Sequence, residues 1–244
     1  MAMKHVLILG ASSDIGIEII KQLECDDVQV LAHCFQHPEK LVALNRQYCG
    51  DIIPMPADLN TEVGTQSLIK QVSEVCDMPD QIVILQAPPL QMKRFKSLTR
   101  DDFQQDFHLQ TLAAFDVLKY FAPRMAKRGS GHIVFLLSSV TLGLPPSAMA
   151  HYTTGKYALM GLMRAVAAEY GHKGLKVNAV SPSMMETSFL HHVPDKLVEL
   201  HAEKHPLGRN ASTKDVAPVV AFLLSEGAEY MNGANLPISG GEVI

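Results

Sequence analysis

The sequence predicts an α/β protein: a doubly wound parallel sheet of about seven strands with helices on both faces. Three observations point there. Short β-branched runs alternate with longer amphipathic segments, as strands joined by crossover helices do. The runs are apolar at consecutive positions, which suits parallel strands buried on both sides. No linker, repeat or low-complexity tract interrupts the series, so residues 1–244 read as one domain.

Each element has a local reason. His5–Leu9 is a first strand, and Asp14–Leu23 a helix that stacks Ile15, Ile19 and Ile20 on one side. Val28–His33 is a second strand, and Pro38–Tyr48 a helix whose proline falls in the first turn, where no N–H is needed. Ile52–Met55 is a third strand and Thr61–Val75 a helix with Thr61 near its cap. Gln81–Gln86 is a fourth strand, cut off by Pro88-Pro89. Asp102–Lys127 reads as one long helix, stopped by Gly129-Ser130-Gly131. Ile133–Leu137 follows as a fifth strand, Ala150–Tyr170 as a helix and Leu175–Val180 as a sixth strand. Ser188–Lys204 is expected as a polar, histidine-rich helical insertion, before the helix Thr213–Leu224 and a last strand Asn235–Ile238. The right-handed crossover rule places a ligand beyond the carboxyl ends of the strands.

Composition narrows the function classes. Twenty-one Lys and Arg against 25 Asp and Glu leave a net charge of −4, which argues against nucleic acid and anionic lipid as partners. No apolar run approaches a membrane span, and Val6–Leu9 is too short for the core of a secretory signal, so the expectation is a cytoplasmic protein. The four cysteines, Cys25, Cys34, Cys49 and Cys76, form no C-x-x-C pair and read as reduced thiols filling helix and strand positions.

Three motifs carry chemistry. The first strand runs into Gly10-Ala11-Ser12-Ser13-Asp14-Ile15-Gly16, which opens a helix. Glycine permits a tight turn and close approach, and a helix N-terminus offers N–H groups to a pyrophosphate. That placement makes the sheet Rossmann-type. Tyr152 and Lys156 stand four residues apart, on one helix face, where an ammonium can favour phenolate and lower the tyrosine pKa from ~10. Thirteen residues before Tyr152 stands Ser139, with Ser138 beside it, where a hydroxyl can share a substrate carbonyl with the tyrosine.

With these elements in this order, the whole chain resembles the short-chain dehydrogenase/reductase family, in its small single-domain branch. It is most similar to bacterial 3-oxoacyl-(acyl carrier protein) reductases. Further matches are Asp58-Leu59 after the third strand, Lys176–Pro182, Thr187, Pro206–Arg209 and Ile238–Gly241. The resemblance implies a nicotinamide-dependent oxidoreductase that reduces a carbonyl, such as a 3-oxoacyl thioester on a carrier, to a secondary alcohol. Tyr152 is then general acid and base, Lys156 lowers its pKa and holds the nicotinamide ribose, and Ser139 polarises the carbonyl. Gly10, Ser12, Ser13, Asp14, Ile15, Gly16, Cys34, Asp58, Leu59, Ala87, Lys156, Pro182 and Thr187 line the cofactor, and no metal is involved. The family also implies a homodimer or homotetramer, with Ala158, Leu162 and Ala165 on a helix-to-helix seam, and a substrate lid at about 186–210.

Several positions depart from the family pattern. Its middle glycine is Asp14, read as a helix cap, with its carboxylate turned away from the pyrophosphate. Its Asn-Asn-Ala-Gly is Leu85-Gln86-Ala87-Pro88, which rebuilds one wall of the adenosine site. Gln110 replaces an asparagine that completes a water relay to the active-site lysine. The acid that grips the ribose of NAD is Cys34, with His33 and His37 nearby, so NADP(H) is favoured over NAD(H). One extra residue between Gly131 and Ser139 leaves Ser138 as the alternative hydroxyl.

His191, His192, His201 and His205 lack a third ligand pattern and read as solvated lid residues. Phe189, Leu190, Val193, Leu197 and Leu200, with Met184 and Met185, face either an acyl chain or the core. Two other readings stay open: a catalytically impaired partner subunit, and an isomerase or dehydratase that keeps Tyr152 as acid and base.

Overall fold

The computed structural model describes residues 3–23 and 27–243. Its frame is a parallel sheet of seven strands in the order β3-β2-β1-β4-β5-β6-β7. The strands are β1 (Lys4–Leu9), β2 (Val28–Cys34), β3 (Asp51–Pro56), β4 (Gln81–Ile84), β5 (Gly131–Leu136), β6 (Leu175–Pro182) and β7 (Asn235–Ile238). The central strands are buried on both faces, with Leu7, Ile8 and Leu9 of β1 fully enclosed. This is why their sequences run apolar at successive positions instead of alternating.

Helices cover both faces. On one side lie α1 (Asp14–Gln22), α2 (Pro38–Asn45) and α8 (Thr213–Leu224), whose Ile15, Ile19, Ile20, Leu41, Val216 and Val220 share a core with β1 and β2. On the other lie α3 (Glu62–Val75), α5 (Ala113–Arg128) and α6 (Ala150–Tyr170), where Leu68, Val117, Phe121, Leu159 and Met163 form a second core. Two loop-borne helices complete the set, α4 (Arg100–Phe107) and α7 (Asp195–Lys204). All the strands run parallel, but the order in which they are added reverses between β1 and β4, the switch point at whose carboxyl ends a crevice is expected.

Three sequence expectations need correction. The long helix expected at Asp102–Lys127 is interrupted: α4 is followed by a π-helical turn at His108–Leu112 before α5 begins. The wider turn carries Gln110 and Thr111, both buried, and such turns cluster at functional sites. The helix expected at Ser188–Lys204 is split into a 3₁₀ turn at Ser188–Leu190 and α7, with Pro194 at the boundary. Proline lacks the N–H that a continuous helix would need there. The cysteines are not uniformly reduced: Cys34 and Cys76 are free, whereas Cys49 is disulfide-bonded. Cys25 lies outside the described residues. No described helix is long and apolar enough to cross a membrane.

Candidate active site

At the mouth of the crevice, β1 passes into the glycine loop. Gly10 adopts φ +81°, and a Cβ there would lie 3.3 Å from the Gln86 backbone nitrogen at the end of β4. Gly16 is required for a different reason: a Cβ would come within 2.5 Å of the Ala11 carbonyl oxygen, so only glycine lets α1 start this close to the loop. The Gly10 N–H donates to His33 Nδ1 at 2.9 Å, and His33 Nε2 donates to the Ala57 carbonyl at 3.1 Å. Burial pushes the His33 pKa down to about 4, so the ring is the neutral tautomer that both bonds require. It braces the loop and is not free to meet a phosphate. His37, the other candidate, is exposed and sits 2.9 Å from Glu39.

The α1 cap is Ser13, not Asp14. The Ser13 hydroxyl accepts the Gly16 N–H at 3.1 Å and donates to the Gly10 carbonyl at 2.7 Å. Asp14 is the first helical residue, and its carboxylate accepts the Ser188 N–H at 2.7 Å. The glycine loop is thereby tied to the 186–210 segment. Around the crevice, Cys34 closes β2 in full burial, and Leu59, after β3, is buried in the core on the other face of the sheet. Asp58 holds the Asn60 backbone and side-chain amides through one oxygen. Ser12 and Ala87 are partly buried in the turns after β1 and β4, Pro182 ends β6, and the Thr187 hydroxyl donates to the Met185 carbonyl at 3.3 Å. Both amide atoms of the buried Gln86 side chain lack partners.

Tyr152 and Lys156 lie on the first turns of α6, both buried. Lys156 Nζ donates to the Leu136 carbonyl at 2.8 Å and stands 5.6 Å from the centre of the Tyr152 ring. Ser138 stands close enough to Tyr152 to lower the phenol pKa, whereas Ser139 begins the 3₁₀ turn that Ser138 caps.

The electrostatics also differ from the sequence expectation. Tyr152 is not drawn down by Lys156. Burial pushes its pKa up to about 12, with Ser138 lowering it and the charge of Asp106 raising it. Burial lowers Lys156 to about 8, with Asp106 opposing the shift. The phenol is therefore the protonated acid across neutral pH, the form that donates to a developing alkoxide.

Two neighbours were not anticipated. Asp106, in the last turn of α4, is 4 % exposed and accepts a hydrogen bond from Gln110 Nε2. Its other oxygen lies 3.6 Å from Nε2 of His151, the residue before Tyr152. A signal was present in the sequence, since Asp106 and Gln110 are an i, i+4 polar pair on one face.

Over the tyrosine lies an apolar wall of Leu90, Val140, Met149, Leu190 and Val193, with Phe189 at 5.9 Å ring to ring. Leu197 points away and is exposed. The 186–210 segment is closed at its base by a parallel bridge between Met185 and Ala211. Of its histidines, His191 and His192 are exposed as expected, whereas His201 and His205 are held by the protein. His201 lies between Asn210 Oδ1 (2.7 Å) and Glu242 Oε1 (2.9 Å), and buried His205 contacts the Ser239 carbonyl at 2.9 Å. These contacts pin α7 to the C-terminal segment. Among the described residues no group of three or more His, Cys, Asp or Glu could hold a metal ion.

Comparison with known proteins agrees with this geometry. A family model described as "Enoyl-(Acyl carrier protein) reductase" matches residues 10–242. Acetoacetyl-CoA reductase of Allochromatium vinosum is 28% identical over 241 residues, covering 96% of each chain. An NADPH-dependent aldehyde reductase-like protein, chloroplastic, of Arabidopsis thaliana is 31% identical over 78% of this chain and 72% of its own. The structure of a 7α-hydroxysteroid dehydrogenase complexed with NADH and 7-oxo glycochenodeoxycholic acid superposes with a TM-score of 0.89. It shares 25% identity and covers 99% of this chain and 95% of that one.

Proposed function

Because the chain belongs to the short-chain dehydrogenase/reductase family, we propose that its buried Tyr152 is the proton donor of a carbonyl reduction. The protein is an NAD(P)(H)-dependent oxidoreductase that interconverts a carbonyl and a secondary alcohol. The observation that carries the residue assignment is the buried, protonated phenol, with Ser138 near it, on the helix that presents Lys156.

The crevice fits a dinucleotide. Gly10 lets the turn after β1 pack tightly on Gln86, Gly16 lets α1 start close against Ala11, and the buried Gln86 side-chain amide has both polar atoms unpartnered. Gly10, Ser12, Ser13, Ile15 and Gly16 would hold the pyrophosphate at the α1 N-terminus, with Asp14 engaged on Ser188. Cys34, Asp58, Leu59 and Ala87 would flank the adenosine, and Lys156, Pro182 and Thr187 the nicotinamide half. Bound there, the nicotinamide supplies or accepts a hydride.

The chain's own side chains do the rest. Ser138 and Tyr152 grip the substrate oxygen from two directions. Tyr152 transfers its proton as negative charge grows on that oxygen, and Lys156 answers the resulting phenolate with its ammonium. The apolar wall and Phe189 exclude water and favour a substrate with hydrocarbon next to the carbonyl, such as a 3-oxoacyl thioester, with 186–210 as its lid. NADP(H) is preferred, since β2 ends in Cys34 in place of an acid that would grip the ribose of NAD, although the charge of Glu39 reaches this thiol. The exposed Phe115 and Tyr157, with Leu162, suit a homodimer or homotetramer formed through α5 and α6.

The test is to measure binding of NADPH and NADH, then turnover on 3-oxoacyl thioesters and simple ketones. Binding with turnover that is lost in Tyr152→Phe supports the proposal. No binding of either nucleotide at millimolar concentration refutes it.

A further inference from the structure

The Asp106 carboxyl is buried in a place where nothing about the fold demands a charge. Neighbouring positions of the same helical run, Ala113, Ala114 and Val117, are buried and apolar. Gln110, fully buried in the π-helical turn, donates its Nε2–H to Asp106, and its Oε1 has no partner. The amide presses against α6: a Cβ on Gly155 would lie 2.9 Å from Gln110 Nε2, and the Thr111 hydroxyl donates to the Gly155 carbonyl at 3.4 Å. Gly155 sits between Tyr152 and Lys156 on that helix. On the other side, Asp106 faces His151 at 3.6 Å, and His151 Nδ1 is also buried without a partner.

Buried ion pairs do little for stability, and unsatisfied buried polar atoms cost about 1–3 kcal/mol each. A cluster held against both penalties, one turn from the proton-transfer residues, calls for a functional reason. Charges near each other in a poorly solvated interior interact far more strongly than in water.

We propose that Asp106, oriented by Gln110 and His151, is a positioning residue whose negative charge keeps the proton on Tyr152 and Lys156, biasing the site towards reduction. The proposal rests on the reading of Tyr152 as proton donor. Asp106 is in contact with His151 from α6 and Gln110 from the π-helical turn, its charge reaches Tyr152 and Lys156 on α6, and His108 in the same turn also has a buried, unpartnered Nε2. Burial raises the Asp106 pKa above the usual carboxylate value, with the Gln110 bond and the charges of His151 and Lys156 opposing the shift. The charge therefore acts on the alkaline side, where the carboxyl is ionised. With the charge removed, phenolate forms at lower pH. The acid needed for reduction is then lost earlier on the alkaline side, and the base needed for alcohol oxidation appears earlier.

The experiment compares wild type with Asp106→Asn and Asp106→Leu. Asn keeps the acceptor for Gln110, whereas Leu removes charge and hydrogen bond together and fills the space with hydrocarbon. kcat/KM is followed against pH in both directions, and phenolate absorbance of the nucleotide-free protein is titrated with Tyr152→Phe subtracted. The expected result is a shift of both limbs and of the Tyr152 midpoint to lower pH by about one unit, so that at a fixed alkaline pH reduction falls about tenfold while oxidation rises. Either variant alone suffices if the other does not fold. A uniform loss in both directions with the midpoint unmoved overturns the proposal. If wild type turns over no carbonyl, the parent reading fails by itself, and the absorbance titration still decides the coupling.

Discussion

Asp14→Asn should loosen the fold and tighten the nucleotide at once, two effects of opposite sign from one atom. In the protein Asp14 does two stabilising things. Its charge sits at the N-terminus of α1, worth about 0.3–1 kcal/mol, and its oxygen accepts the Ser188 N–H at 2.7 Å. A charged hydrogen bond contributes about 1.5–3 kcal/mol when sheltered, but Ser188 is exposed, and asparagine keeps a neutral acceptor. The net loss is about 1 kcal/mol, which for a chain of this size lowers Tm by about 2–4 °C. Against the pyrophosphate the carboxylate is a liability. A unit charge pair in contact is worth about 1 kcal/mol with full water screening and about 4 kcal/mol near a less polarisable surface. Asp14 is partly exposed, so the lower figure applies, and NADPH should bind about fivefold tighter to the variant. The assay is NADPH fluorescence titration at low and high ionic strength beside a thermal melt. The affinity gain should shrink in high salt. Equal or weaker NADPH binding in a folded variant at low salt would refute the reasoning.

Two further outcomes follow from the site. Ser138→Ala should cut kcat about 10²-fold, as loss of one donor to a developing oxyanion does, while Ser139→Ala stays within about twofold; the opposite ranking in steady-state kinetics would return the role to Ser139. Lys156→Met should abolish turnover yet raise stability at neutral pH. The folded pKa of about 8 lies below the unfolded value, so the cost of burying the ammonium is present below pH 8 and fades as pH rises towards 10.5. That cost is about 3 kcal/mol, less the bond to Leu136 and the compensation given to Asp106, leaving a gain of about 1–2 kcal/mol. Melts at pH 7 and pH 10 check it: the advantage of the variant should vanish at the higher pH.

The strands are legible because each is a short apolar run between turn residues; their order is not, since crossover handedness sets the face of each helix and leaves the sequence of neighbours open. Tyr152 and Lys156 were legible because a helix fixes their separation. The serine was not, because a loop lies between it and Tyr152. Counting back from Tyr152 gives Ser139, while counting forward from Gly131 along β5 gives Ser138, and the strand register is the rigid ruler of the two. The ionisation of Tyr152 without a bound cofactor is not legible for a related reason. Spacing shows that Lys156 is near, but burial, which dominates both shifts, depends on what Leu90, Val140 and Phe189 bring from distant segments. The break at His108–Leu112 leaves the apolar periodicity almost intact on either side, so one helix and two read alike. The disulfide at Cys49 likewise has no signature in cysteine spacing.

The fastening of α7 to the C-terminal segment has a practical consequence for anyone producing this protein. Glu242 and Ser239 are the far ends of contacts that reach through His201 and His205 into α7. A purification tag or fusion partner joined after residue 244 would pull on that helix directly. At the other end, β1 begins at Lys4, a full strand length from the crevice. An affinity handle belongs there, and kinetic data from C-terminally tagged protein should be compared with a cleaved sample before any rate is interpreted.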